Sequence, residues 1–341
     1  MLEALLAIAA NLTIAIAGNS EATMLFAGDA MMHQAQIDAA HSLAGGNGYD
    51  YSDCFTPVRD IISDADYAVV NLETPLGHKE FTGYPCFNAP VEYAEALRDA
   101  GFDLFLTANN HTLDRRDKGL KLTVALLDSL KIPHLGTYTD RAERDRRIPM
   151  VIDVKGFKVG VLNYTYGTNG FEVQTDAVVD YIDKDQIKRD IEATRRAGAE
   201  LIAVAVHWGT EYVLQPVASQ KKLADWLVNE GVDMVIGGHP HVVEPMELRT
   251  GSTTGRKQVV VYSLGNFISN MKTRDTRGGE FVTVKLRRDS TGCAVVDTAF
   301  AQLHFTVPPR GNDSRNFVVY PIDSVPAAWR PAATAFRNAL R

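Results

Sequence analysis

The sequence has few cysteines, an excess of acidic over basic residues, and no internal repeat or low-complexity segment. Its three cysteines, Cys54, Cys86 and Cys293, include no C-x-x-C pair, so they offer no thiolate framework for a metal and at most one disulfide bond. The net charge of −7 argues against a nucleic-acid partner, because such proteins usually present a basic face. An anionic polymer would have to be bound by local arginines or lysines that offset this average.

The first residues, MLEALLAIAANLTIAIAG, form an apolar stretch with one acidic side chain. The stretch falls short of the length typical of a membrane span. It is similar to the apolar part of an export signal that lacks the usual basic start. Residues 1–22 are therefore interpreted either as an incomplete signal or export segment or as the first element of the fold.

The remaining chain is long enough, at 341 residues with 45% hydrophobic content, to bury a large core as one or two α/β domains. Helical patterns alternate with strand-like runs, which favours α/β layering. Helices are predicted at residues 57–63, 91–100, 118–130, 184–197 and 216–231. Antiparallel strands are predicted in the last third, at QVVVYSLGNF, EFVTVKLRRD and CAVVDTAFAQL. The longest irregular insertions are expected at residues 40–53 and 81–90.

Metal-ligating side chains follow several of the predicted buried strands. In VIGGHPHVVEP, His239 and His241 follow an apolar run and two glycines, so a turn that begins there can aim both imidazoles into one space. Because ligands gather outside the carboxyl ends of strands in open α/β sheets, we expect one rim of such groups. The other members are Asp29 and His33 after TMLFAG, Glu73 after YAVVNL, Asn109, Asn110 and His111 after DLFLTA, and His207 after LIAVAV.

Six motifs in order, GDAMMH, NLE, ANNHTLD, AVHWGTEY, GGHPHV and YSLGNF, resemble the CapA-type family of poly-γ-glutamate capsule biosynthesis. That family is related to the calcineurin-like metallophosphoesterases. The resemblance implies an α/β fold of the metallophosphoesterase type, a four-layer α/β/β/α sandwich with two mixed β-sheets. It also implies a two-metal site at the strand ends and a place in the cell envelope. Residues 23–307 would form this domain and residues 308–341 a C-terminal appendage.

The resemblance also implies the ligands of two divalent ions. Asp29, His33 and His241 would hold the first, Asn110, His207 and His239 the second, and Glu73 would bridge both. Carboxylate, amide and imidazole groups suit zinc, manganese or iron. The four-residue spacing from Asp29 to His33 and the glutamate bridge depart from the phosphoesterase pattern. They leave open whether His33 reaches the metal and whether the site is a phosphatase.

A catalytic pair is suggested next to Asn110. His111 resembles the histidine of the family that protonates the leaving oxygen, although it could instead be a hydrogen-bond partner of the ligands. Asp114 could fix the tautomer of His111 or cap the helix predicted to begin near residue 118.

Polar and aromatic side chains near these motifs are candidates for substrate binding, namely Tyr84, Asn88, Trp208, Glu211, Tyr212 and Asn266. Such groups suit a flexible organic chain, although the aromatic rings could equally pack against the sheet edge. Four arginines could bind a carboxylate or phosphate or lie in exposed charged loops, namely Arg115, Arg116, Arg274 and Arg277.

Three functions are consistent with these residues. The first is a dinuclear metal-dependent hydrolase or transferase of the cell envelope that acts in poly-γ-glutamate or related capsule metabolism. Its partners would be an anionic polymer or small-molecule substrate and a capsule synthase membrane complex. The second is a non-catalytic accessory or polymer-binding subunit of such a complex. The third is a plain phosphomonoesterase or phosphodiesterase.

Overall fold

A computed structural model describes residues 21–251, 255–310 and 315–340 of the chain. The apolar N-terminal stretch was interpreted from the sequence as an export segment or first element of the fold. Its residues 1–20 lie outside the described residues. Within the described ranges, no helix is both long and apolar enough to cross a membrane.

The described strands, in chain order, are β1 (Glu21–Ala30), β2 (Tyr67–Leu72), β3 (Leu104–Leu106), β4 (His134–Leu135), β5 (Thr137–Tyr138), β6 (Met150–Val154), β7 (Phe157–Thr165), β8 (Val178–Val179), β9 (Leu201–His207), β10 (Met234–Gly238), β11 (Val243–Thr250), β12 (Lys257–Leu264), β13 (Asn266–Ile268), β14 (Gly278–Arg288), β15 (Ala294–Val307) and β16 (Val318–Pro321). The α-helices are α1 (Gln34–Leu43), α2 (Arg59–Ser63), α3 (Val91–Asp99), α4 (Arg116–Ser129), α5 (Arg141–Arg147), α6 (Lys184–Arg196), α7 (Ala218–Asn229) and α8 (Arg330–Ala339).

The chain has two large mixed β-sheets, as the family resemblance implies. The first has the order β16-β15-β14-β1-β2-β3-β4, with β13 paired to the end of β1. In it β1 to β4 are parallel, and β14 runs antiparallel to β1. The second has the order β11-β12-β10-β9-β7-β6, with antiparallel strands at both edges. β5 and β8 form a separate two-stranded sheet.

The alternation of side chains along β1 explains the layering. Met24 and Phe26 belong to the apolar core shared with the second sheet, whereas Leu25 and Ala27 belong to the core shared with α1, α2 and α3. Successive residues of a strand point to opposite faces, so one sheet can bury both. Helices α6 and α7 pack on the outer face of the second sheet, as α1, α2 and α3 pack on the first. The predicted four-layer α/β/β/α sandwich is thereby confirmed.

The five predicted helices are present as α2, α3, α4, α6 and α7, with ends shifted by a few residues. Helices α1 and α5 were not predicted, and α1 includes the first residues of the expected irregular insertion at 40–53. The expected antiparallel pairing in the last third is correct for β14 and β15. It is wrong in part for β12, which lies in the other sheet and pairs in parallel with β10.

The C-terminal segment after residue 307 continues the first sheet. Strand β16 pairs antiparallel with β15, and the ring of Phe336 in α8 lies 6.0 Å from that of Phe305. The described part of residues 308–341 is therefore packed on the sandwich. The division of the chain at this point stays a prediction.

Candidate metal centre

Side chains at the ends of four strands meet at one edge of the sandwich. Asp29 lies in β1, Glu73 directly follows β2, His207 ends β9, and the turn after β10 carries His239 and His241. All five are buried. Because β1 and β2, and likewise β9 and β10, are parallel neighbours, their carboxyl ends open into the same crevice.

Glu73 is the common member of two groups of potential ligand atoms. Asp29, Glu73 and His207 each offer an atom within 4.8 Å of the others, and so do Glu73, His239 and His241. The Oε1 atom of Glu73 lies 3.5 Å from Nε2 of His207 and 3.7 Å from Nε2 of His241. A carboxylate shared by two groups has the position expected of a bridge between two cations.

The charges at this site suit a divalent cation. Burial raises the pKa of Glu73, and the charge of Asp29 adds to this effect. Burial would also raise the pKa of Asp29, but the hydrogen bond and charge of His241 outweigh it and hold that pKa well below its usual range. Burial lowers the pKa of His207, and lowers that of His239 to about 3, which leaves neutral imidazoles able to donate a lone pair.

Two buried atoms of the site have no hydrogen-bond partner among the described residues, namely Oε1 of Glu73 and Nδ1 of His239. An unpaired buried polar atom is costly, and a bound cation would offset that cost. The residues present therefore fit a divalent metal ion.

The histidines follow the assignment implied by the family resemblance in part, since Nδ1 of His241 lies 3.1 Å from Oδ2 of Asp29. His207 lies with Asp29 and Glu73, and His239 lies with His241. Asn110 does reach His207, since its Oδ1 atom lies 2.9 Å from Nε2 of the imidazole. How the histidines divide between two ions stays a prediction.

His33 is not in either group. It precedes α1, where its Nδ1 atom accepts a hydrogen bond from the backbone N–H of Asn270 at 3.3 Å, and its ring packs edge-on against Phe87. Burial lowers the pKa of His33 to about 4, although a hydrogen bond with Gln36 opposes this. Only Nδ1 has this backbone partner, so whether His33 binds the first metal through Nε2 stays a prediction.

The turn after β10 is what aims the two histidines. The backbone φ angle is 101° at His239 and 58° at His241, values that residues other than glycine rarely adopt. Such residues cost on the order of 1–3 kcal/mol each and cluster at functional sites. Gly238 precedes them because a Cβ atom there would lie only 2.9 Å from Oδ1 of Asp29.

Asn71 and Asn169, which were not predicted as ligands, join Asn109 and Asn110 in hydrogen bonds around the site. Asn71 donates from Nδ2 to Oδ1 of Asp29 at 2.8 Å and accepts at Oδ1 from Asn109 at 3.2 Å. Asn169 accepts a hydrogen bond from Nδ2 of Asn110 at 3.2 Å. The position of Asn71 was available from the sequence, because it lies two residues before Glu73 and so faces the same side of the strand end.

His111 and Asp114 form a buried pair. The Nδ1 atom of His111 lies 2.7 Å from Oδ2 of Asp114, and that oxygen also accepts the backbone N–H of Phe87 at 2.8 Å. The ring of Phe87 packs against the imidazole with centroids 4.5 Å apart. Asp114 does not cap α4, whose N-cap residue is Arg115. With Nδ1 held by the carboxylate, Nε2 is the nitrogen that can exchange a proton with a substrate.

Three exposed tyrosines define the tyrosine rim of the site, and two of them, Tyr166 and Tyr212, stand beside its histidines. Tyr166 is 48% exposed and its ring centroid lies 4.6 Å from that of His239. Tyr212 is 56% exposed and lies 6.3 Å from His241. Tyr84 is 72% exposed and lies 6.3 Å from Phe87. Tyr166 was not predicted from the sequence.

Tyr166 and Tyr212 keep their hydroxyl protons at neutral pH. Burial and the nearby charge of Glu211 raise the pKa of Tyr166 and of Tyr212 to about 12 each. Glu211 itself is exposed. The rim therefore offers hydroxyl donors, apolar ring faces and one carboxylate.

Three residues predicted to bind substrate are buried in structural roles instead. Trp208 packs in the core, where its indole N–H donates to the carbonyl of Tyr262 at 2.8 Å. Asn88 donates from Nδ2 to two carbonyls of its own loop, those of His78 and Glu80. Asn266 is fully buried, and its Oδ1 atom contacts His241. Each side chain is thus committed to an internal partner.

Three of the four arginines suggested as anion ligands have internal partners. Arg116 stacks on Phe171, Arg274 pairs with Asp275, and Arg277 lies over Trp329. Arg115 occupies the start of α4. None of these contacts reaches the groups of potential metal ligands.

Comparison with known proteins identifies the family. The model of the family described as "Bacterial capsule synthesis protein PGA_cap" matches residues 23–271. The chain belongs to this family. Capsule biosynthesis protein CapA of Bacillus anthracis is 26% identical over 292 residues, which cover 82% of this chain and 67% of that protein. PGA biosynthesis protein CapA of Bacillus subtilis (strain 168) is 26% identical over 272 residues, with coverage of 78% and 68%.

The fold of this PGA_cap family member is similar to that of NAD nucleotidase (NadN) from Haemophilus influenzae. The TM-score is 0.52 at 14% sequence identity, and the match covers 94% of this chain but only 63% of that one. At this identity the likeness concerns the fold alone. The family resemblance seen in the sequence and the metallophosphoesterase-like fold are both confirmed.

Proposed function

We propose that the chain is a metal-dependent hydrolase or transferase that acts on poly-γ-glutamate or a related capsule polymer in the cell envelope. The observation that supports this most strongly is the position of Glu73 in two groups of buried ligand atoms. Two divalent ions, of manganese, zinc or iron, would be held by Asp29, Glu73, Asn110, His207, His239 and His241. Such ions, when bound, lower the pKa of a water molecule and polarise a substrate oxygen.

The other groups at the site would act on the substrate directly. His111 would give a proton from Nε2 to the leaving atom, since its Nδ1 atom is held by Asp114. Asp114 would stabilise the charged form of this imidazole during the transfer. Burial of both side chains excludes water from the pair and strengthens their interaction.

The tyrosine rim favours an extended organic chain as substrate. Ring faces of Tyr84, Tyr166 and Tyr212 would pack against the aliphatic parts of a chain, and the two hydroxyls with raised pKa would donate to its amide carbonyls. Glu211 disfavours close approach of the polymer's own carboxylates to the rim. We infer that the amide backbone is what the rim positions. A capsule synthase complex in the membrane would supply or receive the polymer.

Turnover measurements on metal-stripped and reloaded protein test this function. The protein is treated with a chelator, then given manganese, zinc or ferrous iron separately, and incubated with poly-γ-glutamate or with p-nitrophenyl phosphate esters. We expect the polymer to be shortened or transferred only when metal is present, and size-exclusion chromatography detects this change. We expect no turnover of the phosphate esters.

Two other results would replace this function with the alternatives. Phosphoester turnover with an intact polymer would make the protein a plain phosphoesterase. Polymer binding without turnover, unchanged in His239→Ala and His241→Ala, would make it a non-catalytic accessory protein.

A further inference from the structure

A cleft of about 450 Å³ lies between the two sheets, lined by residues other than those of the candidate metal centre. It opens where β11 faces β14 and β15, and the last residues of α8 close one end. Of the described residues that line it, none is a predicted metal ligand or catalytic residue. Its volume is within the range of pockets that bind small organic molecules.

The walls of this inter-sheet cleft are mainly aliphatic. Val243 and Met246 come from β11, Leu303 comes from β15, and Leu340 follows α8. Leu214, from the loop after Tyr212, completes this surface. Such walls suit an alkyl group rather than a sugar or a nucleotide.

Two acidic side chains also line the cleft, and both are buried. Glu280 is 6% exposed and Glu244 is 1% exposed. The Oε2 atom of Glu244 accepts a hydrogen bond from Gln220 at 2.6 Å. The Oε1 atoms of both glutamates have no hydrogen-bond partner among the described residues. The cleft thus combines apolar walls with acceptor atoms that the fold itself does not satisfy.

A buried carboxyl group without a charged partner destabilises the folded protein when it is ionised. Burial raises the pKa of Glu280 to about 8, and raises that of Glu244 to about 7 against the opposing hydrogen bond from Gln220. Among the described residues, no charged side chain offsets the burial of either carboxyl. Apolar residues would be more stable at both positions if the acids had no ligand.

We propose that the inter-sheet cleft binds a small aliphatic ammonium ion, with its alkyl part against the apolar walls and its charged nitrogen at Glu280. An ammonium group has three N–H donors, which matches acceptor oxygens that have no internal partner. The same carboxyls disfavour an anion, and the aliphatic walls disfavour a fully hydrated metal ion. This binding site is independent of the function proposed for the metal centre.

Three ligands with the same six-carbon chain but different head groups distinguish the contribution of charge to binding from that of apolar contact. Binding of hexylamine hydrochloride, 1-hexanol and hexanoate to the full chain is measured by calorimetry at about pH 9, where the carboxyl of Glu280, with a pKa of about 8, is mostly ionised and the amine keeps its charge. We expect the hexylammonium ion to bind about tenfold or more tightly than 1-hexanol, and hexanoate not to bind detectably. Equal affinity for the ammonium and the alcohol, or binding of none of the three, would overturn the proposal.

A matched pair of variants tests the role of the carboxyl. Glu280→Gln keeps the shape of the side chain and is expected to weaken hexylammonium binding by about tenfold while leaving 1-hexanol unchanged. Glu192→Gln, at an exposed position of α6, is the control and should change neither. A cooperative thermal transition in both variants shows that they are folded. Hexylammonium binding that survives Glu280→Gln would contradict the assignment.

Discussion

The Nδ1 atom of His241 lies 3.0 Å from Oδ1 of Asn266. The amide of Asn266 is oriented by its own Nδ2 atom, which donates to the carbonyl of Thr276 at 2.9 Å. Nδ1 of His241 also lies 3.1 Å from Oδ2 of Asp29. Because both neighbours are acceptors, Nδ1 carries the proton, and the lone pair of Nε2 is directed to the side of Glu73.

This contact predicts that Asn266 controls metal affinity without being a ligand. Asn266→Ala should weaken metal binding by about 10–100-fold, since the imidazole loses the group that fixes its tautomer. Asn266→Asp keeps an acceptor and should retain affinity. Competition with a coloured chelator measures both, and Asn229→Ala, at an exposed helix end, serves as control. An affinity in Asn266→Ala equal to that of the parent protein would refute this role.

A second prediction concerns the proton donor. Asp114→Asn should lower turnover of the polymer by about 100-fold with little change in KM, because the amide cannot stabilise a charged His111. Asp117→Asn is the nearby control, since Asp117 contacts the backbone of Gln174 instead. Similar turnover in the two variants would show that Asp114 has only a structural role.

A third prediction concerns pH and stability. Burial raises the pKa of Glu280 from 4.5 to about 8, so the folded state holds a proton that the unfolded state releases. The stability due to this proton is present below the unfolded pKa and is lost as pH rises through the folded pKa. Between about pH 5 and about pH 9, the free energy of unfolding should therefore fall by a few kcal/mol relative to Glu280→Gln.

Urea unfolding of the parent protein and the Glu280→Gln variant at several pH values measures this difference. The exposed Glu192→Gln change should give a difference that does not vary with pH. A pH-independent difference for Glu280→Gln as well would mean that the carboxyl is not protonated in the folded state.

A fourth prediction compares two arginines of the same helix. Arg144 is buried and lies 2.5 Å from both Asp180 and Asp190, whereas Arg141 forms an exposed pair with Asp145. Arg144→Ala should lower the free energy of unfolding by about 3–5 kcal/mol, because it leaves buried carboxylates without a cation. Arg141→Ala should cost no more than about 1 kcal/mol. Equal losses in denaturant titrations would contradict this distinction.

Much of the candidate site could be predicted because each candidate ligand lies at or just after the end of a strand that is apolar in sequence. Asp29, Glu73, His207 and the two histidines after Gly238 were all found in this way, and parallel pairing then brings them to one edge. The same logic extends to Asn71, whose spacing from Glu73 places it on the same side.

Other features depend on contacts between distant segments. His33 follows a strand as the clustered candidate ligands do, but α1 begins directly after it and its ring packs against Phe87. Trp208 directly follows the candidate ligand His207. Because successive side chains along a strand point to opposite faces, Trp208 lies in the core, where its indole N–H donates to the carbonyl of Tyr262. No local sequence pattern distinguishes these two residues from those that meet at the candidate metal centre.

The metal content of purified protein tests the central claim most directly. Elemental analysis of the parent chain, of Glu73→Ala and of the exposed control Glu192→Ala should give about two ions per chain in the parent and control, and one or none in Glu73→Ala. This loss is expected because the shared carboxylate neutralises both cations. The same metal content in all three proteins would contradict the account, since Glu73 would then not be a bridging ligand.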